Sequence, residues 1–210
     1  MEALAKLCVD APVGVAVSAL FVDHLDSPVG QLSLVGSDAG VRAITWPDDR
    51  AGRVRLPDLT CVRHPVLDEL ATQLTAYFAG DRRDFDVGVD LRGTAFQVEV
   101  WNALCAIPYG STVTYGGLAR QLGRPNAGRA VGAAVGRNPV SIVIPCHRAV
   151  GSDGSLTGFA GGLAAKAWLL RRERGEPDHP MPNSETTPAA RITNTRSAIA
   201  NVVAGRIRQM

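Results

Sequence analysis

The chain has 210 residues, 46% of them hydrophobic and 20% charged, with a formal net charge of +2. That size allows one large domain or two small ones, and the balance is that of a soluble globular protein. No apolar run reaches the roughly 18 residues of a membrane-spanning helix. Residues 1–20 make a poor signal peptide, because Asp10 interrupts them and Lys6 is their only basic side chain. An intracellular (cytoplasmic), reducing location is therefore expected, with Cys8, Cys61, Cys105 and Cys146 as free thiols.

After a leader at 1–14, apolar-rich runs at 15–22, 31–35 and 41–46 predict strands. Ser27-Pro28-Val29-Gly30 and Ser37-Asp38-Ala39-Gly40 turn the chain between them, giving an antiparallel meander. Residues 65–78 place Val66, Leu67, Leu70, Leu74, Tyr77 and Phe78 at helical spacing, and Gly80 ends that helix. An acidic stretch, 81–90, leads out of this first unit. Thr94 is expected to cap a helix over 95–106, with Phe96, Val100 and Leu104 on one face. After a turn at 107–110, Thr114 caps a helix over 115–122 and Asn126 one over 127–136, which together match a helix-turn-helix. A buried run at 140–144 leads into Pro145-Cys146-His147-Arg148. A Gly-rich loop at 152–162 and a helix at 163–174 follow, the helix with Leu163, Ala167 and Leu170 inward. The remainder, 175–210, reads as a mobile tail.

Charge divides along the same lines. Residues 1–90 carry 8 Lys/Arg against 14 Asp/Glu, residues 91–174 carry 10 against 3, and residues 175–210 carry 4 against 3. A basic unit joined to an acidic one points to a polyanion-binding face, or else to two solvated surfaces that attract each other. Cys146 and His147 bear the chemistry. Only the thiolate is a strong nucleophile, and an adjacent imidazole can take its proton while a carboxylate fixes the imidazole. Within 91–174 the carboxylates are Glu99, Asp153 and Glu173, of which Glu173 is the best placed. Arg148 would add positive potential. Taken alone, Cys146 also fits a small buried hydrophobe at a strand end. Cys61-x-x-His64 with Cys8 and His24 offers four zinc-type ligands, but no zinc-site spacing supports them and no metal is expected.

Ile144-Pro145-Cys146-His147-Arg148 resembles the active-site signature of the 6-O-alkylguanine-DNA alkyltransferases. The resemblance continues in order through Gly93-Thr94-Ala95-Phe96-Gln97-Val98, Ile107-Pro108-Tyr109-Gly110, Thr114-Tyr115, Arg129-Ala130-Val131-Gly132, Asn138-Pro139-Val140, Gly161-Gly162-Leu163, Trp168-Leu169-Leu170 and Glu173. It spans 91–174 strongly and 20–90 weakly.

The family implies an α+β fold. Residues 15–90 would form a ribonuclease-H-like antiparallel sheet with a helix, and 91–174 a helical, winged-helix-like DNA-binding and catalytic domain. It implies one irreversible transfer per molecule, from the 6-oxygen of guanine (and the 4-oxygen of thymine) in double-stranded DNA to Cys146. His147 would act as base through a water, Glu173 would orient His147, and Tyr115 would donate to the base. Arg129 would fill the gap left by a flipped nucleotide on a minor-groove helix that is slim at Ala130 and Gly132, with Thr94 also at the DNA. Asn138 would be a hinge, and Pro145, Ala149, Phe159 and Ala160 would line the pocket. Phe159 and Ala160 stand where some relatives carry Tyr and Ser. No cofactor is implied, and the protein would act as a monomer, with cooperative binding along DNA open. A non-catalytic damage binder and a plain helix-turn-helix regulator are the rival classes.

Overall fold

The computed structural model describes residues 19–49, 53–54, 56, 59–60 and 63–177. The leader, the tail beyond 177, and the thiols Cys8 and Cys61 lie outside them. The α+β arrangement is present. Strands β1 (Leu20–Ser27), β2 (Gly30–Ser37) and β3 (Gly40–Thr45) form the antiparallel meander. The first strand lies further along than expected, reaching Ser27 instead of ending at Val22. Asp23, His24 and Asp26 are exposed on it, which hid it from a search for apolar runs. The two-residue turn fixes its register, Ser27 facing Gly30. A two-residue strand, β4 (Leu59–Thr60), adds in parallel beside β1; two residues are too few to show alternation in sequence.

Helix α1 (Pro65–Ala79) covers one face of the sheet with Leu67, Leu70, Leu74, Tyr77 and Phe78 buried, and Gly80 ends it in the left-handed conformation at φ 86°. Its start is capped by His64, whose Nδ1 accepts from the Val66 amide at 3.3 Å. The helix approaches closely at Gly36, where a Cβ would stand 2.8 Å from Val66 Cγ1. The free edge of β3 is covered by the rest of the chain. Val41 donates to Gly88 O at 2.8 Å, and Ile44 donates to Pro139 O at 2.9 Å. The apolar core therefore runs without a break from Leu34, Ile44 and Leu70 to Trp101, Leu118, Val131, Ile142 and Leu169.

Helix α2 (Ala95–Cys105) begins with a full capping box between Thr94 and Gln97, and buries Val100, Trp101 and Leu104; Phe96 is only half-buried. Strand β5 (Val113–Thr114) leads into α3 (Tyr115–Gln121), capped by Thr114 as expected. Helix α4 (Gly128–Val135) is shorter than expected. Asn126 does not cap it, because the chain enters through a turn in which Ala127 N bonds Arg124 O at 2.9 Å, leaving Ala127 in the cap position. Strand β6 (Ala149–Val150) pairs with β5, and α5 (Gly162–Glu173) closes the fold. Leu163 is 50% exposed, against expectation; α5 instead buries Ala165, Lys166, Trp168, Leu169 and Glu173.

Gly40 combines a φ of 136° with a Cβ position 2.6 Å from Gly88 O, whereas Gly30, at φ 104°, has open space beside it. Gly40→Ala should lower unfolding free energy by about 2–3 kcal/mol and Gly30→Ala by about 1 kcal/mol. Urea melts of the two variants check this, and equal losses would mean that the close backbone approach does not matter.

Candidate active site

The turn that carries the thiol is built on Asn138. Its Nδ2 donates to Ile144 O at 2.8 Å while its Oδ1 accepts from Val140 N at 3.0 Å, so one buried amide closes both ends of the segment between them. The run at 140–144 is consequently a tight turn and not a strand. Ile142 sits in it at φ 76°, a conformation that β-branched residues avoid, held there by complete burial. Cys146, His147 and Arg148 follow as one buried 3-10 turn. Burial pushes the Cys146 thiol up from its ordinary value, while the nearby polar side chains of Asn138 and Ser141 and the charges of Arg53 and Lys166 pull it down.

Glu173 is the hub behind this turn. Its Oε1 accepts from His147 Nε2 at 2.8 Å and from Tyr77 Oη at 2.8 Å. Its Oε2 accepts from Gly110 N at 3.0 Å, and the Arg148 guanidinium grips both oxygens. Burial pushes this carboxyl up, but the hydrogen bonds from His147 and Arg148 and the Arg148 charge outweigh it and hold the group at about 2. Burial keeps the His147 ring neutral. With Glu173 ionised, Nε2 must carry the ring proton, so Nδ1 is the basic nitrogen. Nδ1 is buried and has no hydrogen-bond partner within the protein. Arg148 is thus engaged by Glu173 and by Ile107 O at 2.6 Å; the charges that act on the thiol are Arg53 and Lys166.

The β5–β6 pairing, Val113 opposite Ala149, brings the start of α3 beside the thiol turn. Tyr115 follows directly. Its hydroxyl accepts from Thr157 Oγ1 at 3.2 Å and makes only a long contact, 3.4 Å, to Thr157 O. Lys166, fully buried, donates to Ala149 O at 2.6 Å and Thr157 O at 2.8 Å, pinning the Gly-rich loop to β6. Phe159 is half-buried, edge-on to His147 with centroids 6.4 Å apart, and Ala160 beside it is also half-buried. Pro145 and Ala149 are buried within the turn. Trp46, from the end of β3, meets Phe159 edge-on at 5.2 Å and lies so close to Gly161 that a Cβ there would be 2.3 Å from its ring.

The face presented by α4 is spare. Arg129, Ala130 and Ala133 are exposed, while Val131, Ala134 and Val135 pack inward and Trp101 Nε1 anchors the helix through Ala134 O at 2.9 Å. Its glycines serve a different face: a Cβ on Gly128 would come within 3.9 Å of Gly116 and one on Gly132 within 3.8 Å of the Tyr115 ring. Small residues therefore permit both the close crossing with α3 and the slim outer surface. Thr94 is exposed, its side chain spent on the cap of α2.

Sequence reasoning missed Trp46 and Arg53, and gave no site role to Tyr77 or to Lys166, which both belong to the family resemblance. The first three come from the N-terminal part of the chain, far from the motif, and carried only core or surface signals. Lys166 had one available sign: it lies seven residues before Glu173, hence on the same helix face. Among the described residues no group of three or more His, Cys, Asp and Glu side chains could hold a metal; His24 faces Ser33 and His64 faces Asp38. Among them, too, no helix is long and apolar enough to cross a membrane.

An antiparallel sheet with one covering helix is joined to a helical unit that buries Cys146, His147 and Glu173 close to a short helix with Arg129 exposed. The match to known proteins is specific. Residues 20–91 match the 6-O-methylguanine DNA methyltransferase ribonuclease-like domain, and residues 95–175 match the DNA-binding domain of the same family. The methylated-DNA–protein-cysteine methyltransferase of Methanosarcina acetivorans is 44% identical over 148 residues, 70% of this chain and 94% of that one. Its counterpart from Mycolicibacterium paratuberculosis is 46% identical over 155 residues, 71% and 90% of the two chains. The crystal structure of Mycobacterium tuberculosis OGT in complex with DNA superposes with a TM-score of 0.67 at 42% identity, covering 74% of this chain and 93% of that one. The chain belongs to the 6-O-methylguanine-DNA methyltransferase family.

The site makes stability depend on pH in one direction. The native His147 ring resists protonation, so below about pH 6.5 the unfolded chain takes up a proton that the native ring does not. The native Glu173 carboxyl titrates at about 2, well below the ordinary carboxylate range, so its contribution is complete above the unfolded value and is lost as pH falls toward 2. That displacement corresponds to about 3 kcal/mol. Urea unfolding should show stability falling in two stages, and Glu173→Gln should remove the lower one. A parent curve that is flat between pH 7 and 4 would contradict both assignments.

Proposed function

We propose that this protein repairs alkylated double-stranded DNA by direct reversal, moving a methyl or other small alkyl group from the 6-oxygen of guanine, and from the 4-oxygen of thymine, onto Cys146. The observation that carries this reading is the buried hydrogen bond of 2.8 Å from His147 to Glu173, immediately after the cysteine, in a chain of this family. Glu173 accepts the Nε2 proton and leaves Nδ1 to take the thiol proton through a water. The thiolate attacks the carbon bound to the guanine oxygen. The carbon–oxygen bond breaks with its electron pair going to the base, and Tyr115 donates a hydrogen bond to the base as that charge builds. The long Tyr115 contact to Thr157 O is readily exchanged for one to the base. Guanine is restored and a thioether remains on Cys146. No group in the site can cleave that thioether, so each molecule acts once.

On this reading the two units divide near residue 90, and α3 and α4 face the DNA. Arg129, exposed on α4 with no ion pair or hydrogen bond among the described residues, enters the duplex in place of the extruded nucleotide. Pro145, Ala149, Phe159 and Ala160 surround the flipped base, and Asn138 couples the DNA-reading helix to the thiol turn. Asn138 has the geometry for that coupling, since α4 ends at Val135 and the amide closes the turn ahead of Cys146. The protein acts inside the cell, as a monomer, on alkylated guanine in DNA whatever the surrounding sequence.

Incubation with a methylated duplex followed by intact-mass measurement should show one added methyl group in the parent and none in Cys146→Ser, which should still bind DNA. Methyl uptake by Cys146→Ser, or its loss in Cys105→Ala, would place the nucleophile elsewhere. Arg129→Ala should lose most of its single-turnover rate on methylated duplex at saturating protein, by ~10²-fold on the scale of a few kcal/mol for base extrusion. It should keep its reactivity toward free 6-O-benzylguanine, if the parent accepts that base. Equal losses on both substrates, or full rescue at low salt, would remove Arg129 from the flipping role.

A further inference from the structure

Arg53 is a buried cation that the mechanism above does not use. It lies in the segment after β3, and its side chain is only 4% exposed. Its guanidinium donates to the backbone carbonyls of Asn138 and of Ile44, the latter at 2.8 Å, and grips Asp49, with Nε 2.7 Å from Oδ1. Asn138 is the residue whose side chain closes the thiol turn. Arg53 therefore holds the residue that holds the cysteine. A guanidinium is well suited to this, since its five donors in one plane bond both Asp49 oxygens and two carbonyls together, more than the three donors of an ammonium allow.

We propose that Arg53 is a positioning residue for alkyl transfer, fixing the Asn138 end of the thiol turn and supplying positive potential at Cys146 from the N-terminal part of the chain. The proposal rests on the assignment of Cys146 as acceptor. The charged and titratable groups around the thiol are Arg53, with Asp49 behind it; Lys166 on α5; Tyr115 on α3; and His147, backed by Glu173 and Arg148. Arg53 and Lys166 both pull the thiol down against its burial. Lys166 is committed to two loop carbonyls, so Arg53 is the cation tied to the turn itself. Losing it both loosens the turn and withdraws charge. A purely structural clamp between the sheet and the catalytic unit would do the first alone.

The test uses the full chain carrying Arg53→Met, Arg53→Lys or Asp49→Asn. The Cys146 reaction with iodoacetamide is followed across pH by peptide mass mapping, beside single-turnover transfer from methylated duplex and duplex affinity. Arg53→Met should move the Cys146 titration upward by about one pH unit, with transfer at neutral pH ~10-fold slower, because a neighbouring opposite charge shifts an ionisation by about that much or more. Duplex affinity should stay within about twofold, since Arg53 is buried away from the phosphates. Arg53→Lys, which keeps the charge, should recover most of the titration position. Asp49→Asn keeps the Arg53 fork, removes only its counter-charge, and should move the titration downward; it also remains informative if Arg53→Met does not fold. An unshifted Cys146 titration in Arg53→Met, a slowing that is uniform across pH, an upward shift in Asp49→Asn, or a loss confined to DNA affinity would each overturn the proposal. Failure of the parent itself to take up a methyl group would instead overturn the acceptor assignment.

Discussion

A single carboxylate, that of Glu173, organises the protein. Burying an ionised carboxylate costs several kcal/mol unless each oxygen is satisfied. Here the two oxygens are met by the His147 ring, the Arg148 fork, the Tyr77 hydroxyl and the Gly110 amide. Those donors come from the thiol turn, from α1 and from the turn after α2, so one charge can be buried only if four stretches of chain arrive together. The same interactions settle the ring tautomer of His147. The carboxylate that sets the His147 tautomer thus also ties α1 to the Cys146 turn.

The sheet and α1 accordingly do more than flank the catalytic half. Tyr77 reaches Glu173, Trp46 lies flat on Gly161 of the pocket loop, and Arg53 holds the carbonyl of Asn138. The edge of β3 continues this seam through the hydrogen bond from Ile44 to Pro139. The strained Ile142 turn lies directly beneath the seam, and Asn138 closes it. A left-handed β-branched residue costs of order 1–3 kcal/mol, and such a conformation persists only where packing on all sides leaves no alternative. Here that packing includes the opposite half of the molecule.

The outer face of α4 follows another constraint. A helix meant to lie against a polyanion needs a small profile and few negative groups. Ala130, Ala133 and Arg129 lie on the outside, while Gly128 and Gly132 face α3 with room for no more than a methyl group in ordinary contact. One run of small residues serves both faces. The capping chemistry shows where local signals suffice. Thr94 and Thr114 cap their helices because an N-cap hydroxyl bonds amides two or three residues away. Asn126 fails to cap because the entry turn shifts the helix start by one residue, and no local pattern marks that shift.

By itself the sequence determined the α+β order, the two hairpin turns, the paired helices α3 and α4, and the grouping of Cys146, His147 and Glu173. These rest on periods of two and 3.6, on caps and on ordered motifs, all of which act over a few residues or recur in fixed order. Tertiary structure alone decided the rest. Lys166 is fully buried, because two loop carbonyls and the face it shares with Glu173 draw it inward, and no local pattern marks those partners. Leu163 reads as core and is exposed, because that face of α5 turns outward. Arg148 reads as an activator of the neighbouring thiol and is instead bound to Glu173. Tyr77, Trp46 and Arg53 carry no mark of the site at all. A side chain's partner across 85 residues of chain, as between Arg53 and Asn138, depends on how the two halves dock, and docking is a property of surfaces that exist only after both halves have folded.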